Sequence, residues 1–87
     1  MYEIKFSRDV FNFLKRRNKN FQKKVVNRFD ILGKNPFNNL LDIKPLINKK
    51  GHFRLRIGNY RFLYEIRSKE LLIYCYKAGP RGDIYKK

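Results

Sequence analysis

The sequence predicts an α+β fold of order β-α-α-β-β-β, with a helical hairpin packed on one face of a mainly antiparallel four-stranded sheet. Three observations carry that prediction. Residues 8–33 hold two stretches with apolar side chains at helical spacing, and residues 52–76 hold three short runs rich in aromatic and branched residues. A Gly-Asn pair separates the first two of those runs. With 87 residues the chain has room for one domain, residues 1–87, because a chain this short buries only roughly 60–65% of the surface that its unfolded form exposes.

The elements follow in order. "YEIKF" at 2–6 is a short strand. Ser7 can cap a helix that begins at Arg8, with Asp9 in the first turn to favour the dipole. Val10, Phe11 and Leu14 share one face of that helix, and Asn18 to Asn20 break it. A second helix starts at about Phe21; Phe21, Val25, Phe29 and Leu32 recur at helical spacing, and Gly33 stands where a left-handed C-terminal residue is expected. After the Asn35-Pro36 pair comes a connection of about fifteen residues with no element of its own, a length that is uncommon in compact domains and often functional. "HFRLRI" and "YRFLYEI" then form a hairpin, "LLIYCYK" adds the last strand, and "AGPRGDIYKK" reads as a tail with a turn.

Composition narrows the function classes. Hydrophobic residues make up 43% of the chain, and eight Phe with six Tyr favour a packed core over disorder. A single Cys75 and a single His52 exclude an internal disulfide and any ordinary zinc site. No run has the length of a membrane span, and no apolar stretch near the N-terminus resembles a signal peptide, so the expectation is a soluble cytoplasmic protein without a membrane partner. The formal charge of +15 points instead to a polyanion or an acidic protein as the usual companion. Lys15, Arg16, Arg17, Lys19, Lys23, Lys24 and Arg28 decorate the outer side of the helices. That run reads first as a solvated face, with long-range attraction to a large polyanion, lost steeply with salt, as its further role.

If Gly58 and Asn59 form a two-residue turn, the hairpin register is fixed. Ile57 faces Tyr60, Arg56 faces Arg61, Leu55 faces Phe62, Phe53 faces Tyr64 and His52 faces Glu65. Phe53, Leu55, Ile57, Tyr60, Phe62 and Tyr64 then point to the helices, while Arg54, Arg56, Arg61 and Glu65 occupy the open face. With Ser68 and Lys69 as the next turn, Tyr76 lies beside Arg61 and Tyr74 beside Leu63 on that open face, and Ile73 and Cys75 are buried. A four-residue turn keeps these faces and a three-residue turn can reverse them. Two arginines directly opposed cost a few tenths to about 1 kcal/mol, so folding gains nothing from Arg56 against Arg61. An anion between them explains the pair, since guanidinium groups bind phosphate oxygens in bidentate fashion. Tyr74 and Tyr76 offer faces for unpaired bases, at about 1–3 kcal/mol per base. The plainer alternative is a solvated sheet face with interspersed Arg and Tyr.

"FRLRIGNYRFLYEI" and "AGPRGDIYK", with the element order and the Asn-Pro after the second helix, resemble the RelE/ParE toxin superfamily over essentially the whole chain, and RelE-type messenger-RNA interferases more closely. The resemblance implies a RelE-like fold and the toxin of a type II toxin-antitoxin system. Such a toxin is a ribosome-dependent, metal-independent endoribonuclease that needs no cofactor and inhibits translation. The 2′-hydroxyl of one nucleotide attacks the adjacent phosphate, so a proton acceptor, cations for the phosphorane and a proton for the leaving oxygen are needed. The implied partners are messenger RNA in the ribosomal A site, ribosomal RNA and an acidic, RelB-like antitoxin. The family motif carries over to Arg54 and Arg56 in the basic strand, Arg61 after the tyrosine, and Arg81 and Tyr85 in the closing motif, all as catalytic groups. Tyr74, Tyr76, Lys23 and Lys24 are the RNA-binding candidates. The sequence departs from the pattern in two places. Some relatives carry lysine in the basic strand, whereas an arginine cannot act as a base, and Pro80 stands where histidine or lysine is frequent. His52 and Tyr85 remain for proton transfer. Glu65 could orient and charge the His52 imidazole, while the plainer reading has His52 merely opening a strand. Two other functions share this resemblance: a ParE-like gyrase inhibitor without nuclease activity, and a degenerate, non-toxic antitoxin-binding member.

Overall fold

The computed structural model of the chain describes residues 1–80. Strand β1 (Glu3–Phe6) leads into helices α1 (Arg8–Lys15) and α2 (Lys19–Lys34). Strands β2 (Asp42–Pro45), β3 (His52–Ile57), β4 (Tyr60–Arg67) and β5 (Leu72–Pro80) follow, with a 3₁₀ turn at Ser68–Glu70 between the last two. The sheet runs in the order β1-β5-β4-β3-β2, with β1 parallel to β5 and every other pair antiparallel. The predicted class holds, but among the described residues the sheet has five strands where four are expected. The added strand is β2, inside the supposedly featureless connection. Asp-Ile-Lys-Pro has no alternating apolar signal, and it is a strand because β3 offers it a ladder from Arg56 to Phe53. Its closing Pro45 is tolerable because β2 is an edge. No helix among the described residues is long and apolar enough to cross a membrane.

Both helices begin on side-chain caps. Ser7 Oγ accepts from the Val10 N–H at 3.2 Å, as expected, and Asn18 Oδ1 accepts from the Phe21 N–H at 2.8 Å, so α2 starts two residues earlier than its apolar pattern indicates. Gly33 corrects a second expectation. It lies inside α2 and not in the left-handed region. Its missing side chain admits β1 instead: the Tyr2 N–H donates to the Gly33 carbonyl at 2.9 Å, and a Cβ at Gly33 would stand 3.0 Å from the Tyr2 oxygen.

The core lies between the helices and one face of the sheet. Val10, Val25, Phe29 and Leu32 from the helices meet Leu55, Ile57, Phe62, Tyr64, Ile73 and Cys75 from the strands. The Phe29 ring stands edge-on to Phe6, Phe62 and Tyr64, with centroids 5.1, 5.8 and 6.2 Å away, a geometry that adds about 0.5–1.5 kcal/mol per pair beyond burial. Phe11 departs from its expected place, being 55% exposed; Val10 turns inward, and Phe13 and Leu14 pack against the core from its edge. Arg17 also leaves the solvated run. Its guanidinium covers the Phe13 ring at 4.7 Å and donates to Tyr60 Oη at 3.0 Å.

Candidate functional site

The β3–β4 hairpin has the register that its two-residue turn dictates. Gly58 takes φ +61 and Asn59 stays out of the positive region, as in a type II′ turn. Arg56 stands opposite Arg61, Arg54 opposite Leu63 and His52 opposite Glu65. Alternation then puts Arg54, Arg56 and Arg61 on the face away from the helices.

The three guanidinium groups are not equivalent. Arg54 is 8% exposed and donates to Asp42 Oδ1 at 2.6 Å, so β2 supplies it with a counter-charge. Its Nε is buried without a partner among the described residues. Arg56 is exposed and donates, at 3.4 Å, to the Gly58 carbonyl. Arg61 is also 8% exposed, and among the described residues neither it nor Arg56 has an acidic partner within ion-pair distance. A cation largely withdrawn from water and lacking a counter-ion is costly, and an anion at that place relieves the cost.

The lateral neighbours of the arginines differ from expectation. Four residues separate Arg67 from Leu72, and a bulge between Leu63 and Tyr64 adds one more step, so Arg61 pairs with Gly79 and Glu65 with Tyr74. Tyr76 therefore is not beside Arg61, nor Tyr74 beside Leu63. Tyr76 is the extra residue of the bulge, between Cys75 opposite Tyr64 and Lys77 opposite Leu63. Both tyrosines keep to the predicted face, with Ile73 and Cys75 fully buried on the other. They are already engaged: their rings stack on each other at 6.4 Å, the Arg67 guanidinium lies over Tyr74 at 5.1 Å, and Lys49 Nζ lies over Tyr76 at 5.4 Å.

His52 is more than a strand opener. Its Nδ1 is 2.9 Å from Tyr76 Oη and its Nε2 is 3.6 Å from Glu65 Oε2, while Arg67 Nε donates to the other Glu65 oxygen at 2.9 Å. Burial pushes the Tyr76 phenol above its ordinary range, with the Glu65 charge and Cys75 adding to the effect. The pairing of His52 with Glu65 was readable from the hairpin turn, whereas its contact with Tyr76 depends on the bulge, which has no sequence signature here.

Lys23 and Lys24 lie apart from this face. They are exposed on α2, on the opposite side of the sheet, where a groove of about 420 Å³ is lined by Lys19, Gln22, Lys23, Val26, Asn27 and Asp30. Arg81 and Tyr85 are outside the described residues.

No protein-family model matches the sequence, and neither does any curated protein. Solved structures do. A chain of the archaeal RelE–RelB complex from Pyrococcus horikoshii OT3 is 27% identical, with a TM-score of 0.82 over 94% of this chain and 97% of that one. A chain of the toxin–antitoxin complex RelBE2 from Mycobacterium tuberculosis is 25% identical, with a TM-score of 0.72 over 92% and 98%. The isolated E. coli RelE toxin shares the fold at 11% identity, with a TM-score of 0.77 over 98% and 92%. In architecture, in near-complete coverage in both directions and in the 25–27% identity of two of these chains, the chain is similar to RelE proteins and has the RelE-like fold.

Proposed function

We propose that the chain, as a single domain over residues 1–87, is the toxin of a type II toxin-antitoxin pair and an endoribonuclease that cuts messenger RNA in the ribosomal A site. The observation that carries this reading is Arg61, a guanidinium with 8% exposure and no acidic neighbour in ion-pair range among the described residues, set directly against Arg56. A phosphate between the two answers both the burial and the repulsion, and a dianionic phosphorane answers them better than the ground state does, which is the condition for catalysis. Arg54 borders the same site with its charge partly balanced by Asp42, so Arg56 and Arg61 are the stronger electrophilic groups. By family resemblance Arg81 and Tyr85 complete the phosphate and base contacts. The charge of +15 suits both ribosomal RNA and an acidic antitoxin; the similar chain from P. horikoshii was solved in a RelE–RelB complex, and that from M. tuberculosis in a toxin–antitoxin complex.

Arg61→Ala tests the reading. Induced expression of the natural chain is expected to stop methionine incorporation promptly while thymidine incorporation continues, with cuts at ribosome-occupied codons in primer extension. Arg61→Ala is expected to lose at least about 100-fold in cleavage rate, the scale of removing one oxyanion donor. Lys23→Ala, on the far side of the sheet, is expected only to soften the salt dependence of ribosome binding. Undiminished cleavage by Arg61→Ala overturns the site, and early loss of DNA synthesis with translation intact moves the chain to gyrase inhibition.

A further inference from the structure

The arginines of this face cannot accept a proton, yet attack by a 2′-hydroxyl requires an acceptor. Three strands bring one together. His52 opens β3, Glu65 faces it from β4, and Tyr76 reaches it from the bulge of β5. Nδ1 of His52 is 2.9 Å from the Tyr76 hydroxyl, the rings meet edge to face at 5.5 Å, and Nε2 is 3.6 Å from Glu65 Oε2. A carboxylate beside Nε2 favours the tautomer with its proton there, which leaves Nδ1 to accept from the phenol. The phenol resists ionisation, so at rest it donates to Nδ1 and keeps its oxygen lone pairs for another donor. Hydroxyl, imidazole and carboxylate in this order form a nucleophile-activating chain, with the hydroxyl as its outer end. Arg54 is the next residue of β3 on this face, about 7 Å along the strand from His52, close enough for one nucleotide to span both.

We propose that Tyr76, His52 and Glu65 are the proton-accepting relay of this enzyme, with Tyr76 the catalytic residue that touches the 2′-hydroxyl and His52 and Glu65 acting through it. The inference rests on the nuclease reading above. The 2′-hydroxyl donates to Tyr76 Oη. As the 2′-oxygen bonds to phosphorus, its proton passes to Oη and the phenolic proton passes to Nδ1, so that an imidazolium faces Glu65. The bond from phosphorus to the 5′-oxygen breaks with its electron pair staying on oxygen, and that oxygen takes a proton from solvent water. His52 returns its extra proton to solvent, and no net charge or redox change remains. Tyr76 thus serves through its hydroxyl and not as a stacking platform, in keeping with a ring already occupied by Tyr74 and Lys49.

The test is single-turnover cleavage of a defined messenger on programmed ribosomes by the full chain. Tyr76→Phe keeps the ring and removes the hydroxyl. It is expected to lower the cleavage rate about 100-fold or more while ribosome affinity and denaturation midpoint stay within twofold and error, respectively. His52→Gln is expected to match it, and the double variant to be no slower than either, as for groups that work as one unit. The charged and titratable groups around the imidazole are Glu65 and Arg67 from β4, Tyr76 from β5, Lys49 from the preceding loop, and Arg54 with its Asp42 partner. Protonation of His52 blocks the relay, so the rate of the natural chain is expected to fall on acidification and that fall to vanish in His52→Gln. Tyr76→Phe cleaving within about threefold of the natural chain, with Arg61→Ala inactive, overturns the relay and leaves the nuclease reading intact. A natural chain that cuts nothing overturns both.

Discussion

On the helix side of β3 and β4, Leu55, Phe62 and Tyr64 are fully buried, and they sit among Val25, Phe29, Leu32 and Cys75 with rings in edge-to-face contact. On the other side of the same two strands, one residue out of phase, stand Arg54, Arg56, Arg61 and His52. The first set is apolar and complementary. The second repeats one charge, pairs Arg56 with its own kind and leaves the Arg54 Nε buried without a partner among the described residues. Alternation along a strand thus lets one hairpin hold the fold with half of its side chains and withhold the other half from folding. Residues that violate local stability rules on one face are tolerable because the opposite face more than offsets them, and such violations concentrate where a site is built.

The largest expected effect breaks the covered face. Phe62→Ala deletes a ring in contact with Phe13, Phe21 and Phe29 and is expected to cost about 3–5 kcal/mol, a large part of the stability of a small domain. Urea unfolding followed by far-UV circular dichroism measures it. A loss below about 1 kcal/mol would mean that the helix side does not carry the fold, and the contrast between the faces would collapse.

How much of this was legible depended on what fixed each piece. The β3–β4 register followed from Gly58-Asn59, because a two-residue turn leaves no freedom, and with it came Arg56 against Arg61 and His52 against Glu65. The next connection was not fixed that way. Ser68–Glu70 makes a 3₁₀ turn, Leu71 takes φ +50 without being glycine, and the Leu63/Tyr64 bulge shifts β5 again, so the faces were readable but the neighbours of Tyr74 and Tyr76 were not. β2 was invisible because its strand character is borrowed from β3. Gly33 was misread because its position just before the Asn-Pro suggests a helix end, while the demand for a small residue comes from Tyr2, thirty-one positions away in sequence. Phe11 looked like core because an eight-residue helix offers too few turns to separate its inward stripe from its flank.

A middle-sized effect sharpens the contrast through pH. Burial pushes the Cys75 thiol and the Tyr64 phenol above their ordinary values, Cys75 adding to the shift of Tyr64. Both groups hold their protons more tightly in the folded chain than in the unfolded one. Their contribution is therefore complete below the ordinary thiol value of about 9 and is lost as pH rises beyond it, at up to about 1.4 kcal/mol per pH unit for each group. Loss of lysine charge at the same pH relieves repulsion and acts in the opposite sense, so the comparison with Cys75→Ala isolates the thiol. The natural chain is expected to lose stability between pH 9 and 10.5 faster than the variant does, read from urea midpoints at each pH. Parallel curves would show that the thiol ionises without unfolding, and that the covered face is open to water.

The smallest effect tests the open face on its own terms. Arg56 is exposed, has no acidic partner among the described residues and opposes Arg61, so Arg56→Thr keeps a strand-forming residue while removing one of two like charges. Stability is expected to rise by a few tenths to about 1 kcal/mol at low ionic strength, and the gain to shrink at high salt, where the repulsion is already screened. Arg54→Thr should go the other way. It strands Asp42 and empties a place that is 8% exposed, so it should destabilise although it removes the same charge from the same strand. The sign difference is the informative quantity. If both variants destabilise equally, the arginines are structural and the face is held by packing. If Arg56→Thr alone stabilises while cleavage falls, the chain carries that charge at a cost to its own fold, and the reason for it lies in what binds there.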